Sequence, residues 1–425
     1  MLRIGFVSGS LTRIGSGQGE VIPLAKALSD QGHYAIGLEV NRWRRKQLLV
    51  NGIQVFCEPI IPHIIRVLQC RTGQDAIHAR RTASENGFNS LRVSDAAFGI
   101  AILRLMERLD LDAIYTFHNS IGASIIHGWP DLKRTLCLNL VGFGIDQSRG
   151  GIRNTFPFQS YLFSRPHWDV HFAATKFEFD QYSEVYDQLG LQRPKLVYLP
   201  HCYDEAEFGS HSTDSLNREF RGCVEVLYPV NIYPRKNIEL AIDTVALMNS
   251  QVNAHLTVTG NIWDLKYHAM LVQHANQQGI GDKVHFLRGV SQSELTRRFR
   301  DSDLTIFTSH QETFGIGIVE SLACGTPVVG PDWIIPCREI LEGSKGGRAI
   351  AKDAHAFARA ALEVIKLNMN RASIADSVRD HYGNRHVATR FLETLMPIVG
   401  YKNRYRERLR KINWKVLYRD IGQLM

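Results

Sequence analysis

No stretch of this 425-residue chain approaches the roughly 18 consecutive apolar residues that a membrane-spanning helix needs. The opening Met1, Leu2, Arg3, Ile4, Gly5, Phe6, Val7 and Ser8 is too short an apolar run for a secretory leader and passes directly into a strand pattern, so export is not expected. Cysteine is sparse and scattered: Cys57, Cys70, Cys137, Cys202, Cys223, Cys324 and Cys337 give no CxxC pair and no Cys/His spacing that would mark a metal. Their absence argues against a disulfide framework and leaves small buried thiols in a reduced, cytoplasmic protein as the expectation. Low-complexity tracts and repeats of solenoid or propeller period are missing too. Two globular domains follow from the length, which exceeds the roughly 250–300 residues at which one core stops growing.

Acidic residues are in deficit, with 42 Asp and Glu against 50 Lys and Arg for a formal net charge of +8. Most of the excess lies in the last 25 residues, where Lys402, Arg404, Arg406, Arg408, Arg410, Lys411, Lys415 and Arg419 face only Glu407 and Asp420. Tyr401, Tyr405, Leu409, Ile412 and Val416 recur there at helical spacing, which reads as an amphipathic helix with a basic face. A second cluster, Arg42, Trp43, Arg44, Arg45 and Lys46, follows the second strand. Both segments read either as peripheral contact with anionic lipid at the inner membrane surface, at about 1 kcal/mol per cation, or as a solvated face and a tail packing on its own protein. Nucleic acid is not an expected partner, because no binding motif accompanies the charge.

Strand patterns occur at 3–8, 34–40, 54–59, 113–117, 135–141 and 170–174, most of them separated by helix-length segments such as 21–31. The polar stretch around 204–221 interrupts this alternation, which restarts with strands at 224–230, 256–260, 284–287, 304–308 and 327–329 and helices at 238–248 and 291–300. The expected architecture is α/β, with two doubly wound parallel sheets. An N-terminal domain at 1–205, a linker at 206–222, a second domain at 223–385 and C-terminal helices at 386–425 crossing back onto the first domain complete it. Ligands bind beyond the carboxyl ends of such strands, so two domains facing each other across a deep cleft are expected to share one site.

The segment Ser309, His310, Gln311, Glu312, Thr313, Phe314, Gly315, Ile316, Gly317, Ile318, Val319, Glu320, Ser321, Leu322, Ala323, Cys324, Gly325, Thr326, Pro327, Val328, Val329 carries the chemistry. A strand ends near Ser309, two glycines open a helix, and Gly325 with Pro327 closes it. Free N–H groups at that helix start make an anion seat for a diphosphate at Phe314, Gly315 and Ile316. Glu320 stands roughly 7 Å along the helix at about 1.5 Å per residue, and Glu312 lies in the loop before it. Ionised carboxylates there can each accept a pair of sugar hydroxyls.

This segment resembles the signature of the retaining nucleotide-sugar glycosyltransferases of family four, glycosyl transferases group 1, which have the GT-B fold: Glu, seven residues, Glu, then a small-residue helix end with Gly, Thr or Ser, Pro, Val. Glu312, Glu320 and residues 323–329 match it. Pro234, Arg235, Lys236, Asn237 and Ile238 resemble the family's basic element, in which a lysine neutralises the leaving diphosphate. The family has an arginine just after the preceding strand where this chain has Asn231, so Arg235 is a candidate substitute. Gly260, Asn261 and Arg288 fall at strand ends that flank the nucleotide base in the family, with a plain surface role as the alternative for Arg288. His118 ends the strand at 113–117, as in the family's short Asp and His element near the sugar. Gly15 and Gly17 are alternative registers for its phosphate-side glycine loop.

The resemblance implies transfer of a hexosyl group from a UDP- or GDP-sugar to an acceptor hydroxyl, with retention and without a metal or other cofactor, in cell-envelope, glycolipid, polysaccharide or small-glycoside synthesis. Glu312 would hold the transferred sugar and Glu320 the ribose. An anionic or lipid-linked acceptor fits the basic segments. An epimerase, a phosphorylase or an inactive binding homologue on the same fold are the competing readings.

Overall fold

The structure, a computed structural model, describes residues 1–7, 11, 16–41, 44–69, 93–117, 135–139, 169–188, 195–209, 222–402, 415 and 418. The chain forms two compact units, Met1–Pro200 with Val387–Met425, and His201–His386.

The first unit contains β1 (Arg3–Val7), α1 (Ser16–Asp30), β2 (Tyr34–Asn41), β3 (Lys46–Val50), β4 (Ile53–Pro59), α2 (Ile61–Gln69), α3 (Val93–Leu109), β5 (Ala113–Phe117), β6 (Thr135–Asn139), β7 (Val170–Ala173), α4 (Lys176–Gln188) and β8 (Lys195–Tyr198). Its sheet runs β3-β4-β2-β1-β5-β6-β7-β8, parallel throughout except for β3, which pairs antiparallel with β4. Strands β1 and β7 are apolar and almost wholly buried, as expected for strands covered on both faces. The edge strand β3 is exposed along its length and begins in the basic cluster, so it lacks the apolar pattern that marks the other strands. Within that cluster, Arg45 donates to the buried Glu58 carboxylate at 2.8 and 3.1 Å, and Arg108 meets the same group at 3.0 Å.

The second unit contains α5 (Glu205–Phe208), β9 (Val224–Tyr228), α6 (Ile238–Met248), β10 (Ala254–Thr259), α7 (Leu265–Gln277), β11 (Val284–Leu287), α8 (Gln292–Asp301), β12 (Leu304–Ile306), α9 (Ile316–Ala323), β13 (Val328–Pro331), α10 (Ile335–Glu342), β14 (Gly347–Ile350), α11 (Ala354–Leu367) and α12 (Arg371–Tyr382). All six strands are parallel, in the order β11-β10-β9-β12-β13-β14. Counted from β9 this is the 3-2-1-4-5-6 winding of dinucleotide-binding sheets, and its order reverses between β9 and β12. The loops leaving those two strands carry Lys236 and Glu312.

The last long helix, α13 (Asn384–Lys402), starts in the second unit and continues in the first. Its residues Val387, Ala388, Phe391, Leu395 and Val399 are buried at helical spacing. Phe391 packs on Phe6, Tyr115 and Phe172 at ring distances of 6.2, 5.7 and 5.4 Å. That cluster explains why this helix belongs with the first sheet. Most of the basic tail lies outside the described residues, but Tyr418 is buried, hydrogen-bonded to His63 of α2, with the Arg66 guanidinium 5.6 Å from its ring centroid.

The unit boundary at Pro200 falls before the expected linker. Residues 201–209 belong to the second unit: Tyr203 N–H donates to Tyr382 O at 3.0 Å, Asp204 caps α5 and Phe208 is buried. Residues 210–221 lie outside the described residues.

Candidate active site

Helix α9 starts without a side-chain cap. Helices α7, α8, α11 and α12 begin with Asp264, Ser291, Asp353 and Asn370, whose side chains accept N–H groups of the first turn. Gly315 at the start of α9 has no side chain to do so, and the first turn holds no acidic residue. The N–H groups of Gly315, Ile316 and Gly317 donate to no described residue, while Ile318 N–H turns back to Gly315 O at 2.9 Å. Three aligned, unsatisfied donors at a helix amino end form an anion site. Gly315 sits at φ 97°, which L side chains rarely adopt, and a Cβ there would stand 3.1 Å from Cys337 Sγ.

Beside that opening, Lys236 Nζ donates to Glu312 Oε1 at 2.5 Å, and Ser309 Oγ donates to the same oxygen at 2.6 Å. Side-chain exposures of 12% and 16% leave the pair largely desolvated but reachable. The loops carrying it are cross-braced. Tyr228, the last residue of β9, donates its hydroxyl to Lys236 O at 2.6 Å, lies 3.1 Å from Ser309 Oγ and accepts Thr308 N–H at 3.2 Å. Asn237 Nδ2 donates to Thr308 O at 3.0 Å, Thr308 Oγ1 donates to Asn237 O at 2.8 Å, and His310 N–H donates to Arg235 O at 2.9 Å. Burial pushes the Tyr228 phenol well up, so it remains a neutral brace. Tyr228→Phe strands Thr308 N–H and Lys236 O, an expected loss of about 1–3 kcal/mol. A lowered melting temperature with a weakened Lys236-dependent rate checks it.

Glu320 lies on the second turn of α9, half-buried, and its side chain makes no hydrogen bond or ion pair with a described residue. Protein packed around it pushes its carboxyl up to about 8 although part of its surface stays accessible. A carboxyl held without a side-chain partner on this helix is available to a ligand, as an acceptor once it ionises.

The remaining expected site residues fall into place unequally. Gly260 ends β10 so close to the neighbouring loop that a Cβ would lie 2.2 Å from Val230 O. Gly260→Ala must therefore move backbone, with an expected loss of roughly 2–3 kcal/mol and a melting temperature lower by roughly 4–10 °C, measurable by calorimetry. Asn231 Oδ1 accepts Asn261 N–H at 2.9 Å, so the residue standing in the family's arginine position clamps the β9 and β10 loops together. Arg288 is exposed just past β11. The Phe314 ring is buried against His201 and Tyr382 at 4.9 and 6.0 Å, as suits a large apolar side chain before Gly315. The Arg235 guanidinium donates to Tyr233 Oη at 2.7 Å and sits 5.4 Å from that ring's centroid. Gly17 lies in the first turns of α1, whereas Gly15 and His118 lie outside the described residues.

Tyr228 and Ser309 also build the site, although neither is among the residues expected there. A hydroxyl-bearing aromatic at the carboxyl end of the first strand of such a sheet, and a serine three residues before a glutamate, are the signals that were present.

Residues 220–381 match the family described as glycosyl transferases group 1. The second unit carries a glycosyl transferases group 1 domain. Relatives of the chain include mannosylfructose-phosphate synthase of Agrobacterium fabrum, 30% identical over 172 residues, which are 38% of this chain and 37% of that protein. A D-inositol 3-phosphate glycosyltransferase of Geodermatophilus obscurus is 26% identical over 160 residues, 35% of this chain and 36% of that protein. The chain thus spans little more than a third of the length of these relatives. Across nearly the whole chain the likeness is one of fold. The structure of Anabaena HepE in complex with UDP and glucose superposes with a TM-score of 0.67 at 16% identity, covering 93% of this chain and 100% of that one. Sucrose-phosphate synthase of Thermosynechococcus elongatus superposes at 0.69 and 14% identity, covering 94% and 100%. The fold is GT-B, as the signature implied.

Proposed function

We propose that this protein transfers a hexosyl group from a nucleoside diphosphate sugar to an acceptor hydroxyl, with retention of anomeric configuration. The observation that carries the reading is the open start of α9 beside the Lys236–Glu312 pair. A donor diphosphate would accept the N–H groups of residues 315–317 and draw the Lys236 ammonium away from Glu312. Both interactions strengthen as the bond to the anomeric carbon breaks and charge builds on the leaving phosphate. They would take the role a divalent cation plays in other transferases.

Glu312, released from Lys236 and still tied to Ser309, would then accept hydroxyls of the hexose, and Glu320 those of the ribose. A leaving phosphate oxygen can take the acceptor proton on the face from which it departs, so the reaction needs no separate general base. An anionic acceptor is the class favoured by the net charge of +8. The solved structure of HepE holds UDP and glucose, which favours a UDP-sugar among the donors to try first.

The test is incubation with UDP- and GDP-hexoses and phosphorylated or lipid-linked acceptors in the presence of a chelator, followed by NMR of the anomeric proton. Release of nucleoside diphosphate with a product of the donor's anomeric configuration is the expected result. An isomerised donor would mean an epimerase, dependence on free phosphate a phosphorylase, and nucleotide binding without turnover an inactive homologue.

A further inference from the structure

At the opposite end of the same sheet, three side chains of metal-ligand type converge: Cys223, just before β9, Glu225 on β9 and His255 on β10. The parallel register sets His255 directly beside Glu225. One ligand atom from each lies within 4.8 Å of the other two. They do not satisfy one another. His255 Nδ1 stands 3.8 Å from Glu225 Oε1, beyond a hydrogen bond, and the Cys223 thiol reaches the same oxygen only weakly, at 3.9 Å.

We propose that Cys223, Glu225 and His255 form a zinc site, with the fourth position open to water. A tetrahedral Zn²⁺ with a thiolate at about 2.3 Å and nitrogen and oxygen at about 2.0–2.2 Å holds its ligand atoms roughly 3.3–3.6 Å apart. The His255–Glu225 and Cys223–Glu225 separations exceed that by a few tenths of an ångström, and the third lies within 4.8 Å. Glu225 and His255 are 38% and 31% exposed, so their side chains are free to close the gap. The mixture of sulfur, imidazole and carboxylate suits a borderline ion rather than Mg²⁺ or Ca²⁺.

Cys223 is also set apart from its peers. Cys57, Cys202, Cys324 and Cys337 are buried, whereas solvent reaches Cys223. Binding of the cation would release the thiol proton to solvent as the Zn–S bond forms. Asp303, whose carboxylate accepts Glu225 N–H at 2.8 Å, adds negative potential.

The residues assigned to the donor follow the carboxyl ends of the strands, and this cluster lies at their amino ends. Five residues of strand separate the two by about 17 Å. A metal here would therefore pin β9 to β10 rather than take part in chemistry. The linear sequence gives no hint of it, because the ligands come from two strands about 30 residues apart that only the sheet brings together.

Cobalt titration of the metal-stripped full chain tests the site. One equivalent of Co²⁺ is expected to give the visible absorption of a tetrahedral ion with an ultraviolet thiolate-to-cobalt charge-transfer band, both bleached by Zn²⁺. Cys223→Ser should abolish the charge-transfer band. His255→Ala and Glu225→Gln should each weaken binding by at least about tenfold, with the metal-free melting temperature unchanged. Absence of the charge-transfer band in the native chain, or its persistence in Cys223→Ser, would overturn the assignment.

Discussion

Lys236→Ala is expected to lower kcat for glycosyl transfer by about 10²–10³-fold, with donor KM changing far less. The ammonium is held 2.5 Å from Glu312, so in the resting protein its charge is already spent on a partner. A ground-state diphosphate competes with that carboxylate and gains little net attraction. As the glycosidic bond lengthens, the phosphate oxygens gather charge that Glu312 cannot match, and the lysine contribution grows. Loss of such an interaction appears in kcat. Because the substitution also leaves Glu312 largely buried with only Ser309 beside it, some stability is lost as well. Lys236→Arg separates the two effects: it keeps a positive partner for Glu312 but changes the shape of the donor to phosphate. Steady-state kinetics of both variants, alongside their melting temperatures, decide the matter.

Glu320→Ala is expected to raise donor KM by roughly 10–100-fold, the worth of hydrogen bonds to a charged acceptor. Glu320→Gln carries a second, pH-dependent signature. The folded protein holds the Glu320 carboxyl at about 8 against 4.5 for an ordinary glutamate, chiefly by desolvation. Between those values the folded chain binds the proton more tightly than the unfolded chain does. Stability contributed by this residue therefore falls as pH rises through that window. Glutamine, neutral throughout, removes the dependence. The variant should melt higher than the native chain at alkaline pH and lose that advantage near the ordinary glutamate pKa. Donor binding should move the opposite way in the native protein. Ribose hydroxyls donate to the ionised carboxylate, so donor KM should fall as pH rises towards 8 and should not do so in Glu320→Gln.

How much of this was legible in the sequence depended on which physical signal each part left. Strands β1, β9 and β10 announce themselves because burial on both faces demands apolar runs, and α6 is bounded as its periodicity predicted. Strands β3, β8 and β14 do not, since an exposed edge strand and two short strands such as Gly347–Ile350 need no such pattern. The opening glycine and the glutamates on either side of it were readable because few side chains can do their work. Their state was not. Pairing of Lys236 with Glu312 joins residues far apart in the chain, through a β9–β12 adjacency that only the wound sheet supplies. Composition likewise does not show that the Phe314 ring packs in the core or that the Arg235 guanidinium lies on Tyr233.

The most direct measurement is a crystal structure of the protein with UDP or GDP. It should place diphosphate oxygens about 2.7–3.2 Å from the N–H groups of residues 315–317 and from Lys236 Nζ, with Glu320 on the ribose. A nucleotide seated elsewhere, with those N–H groups still open and Lys236 still bound to Glu312, would contradict the account.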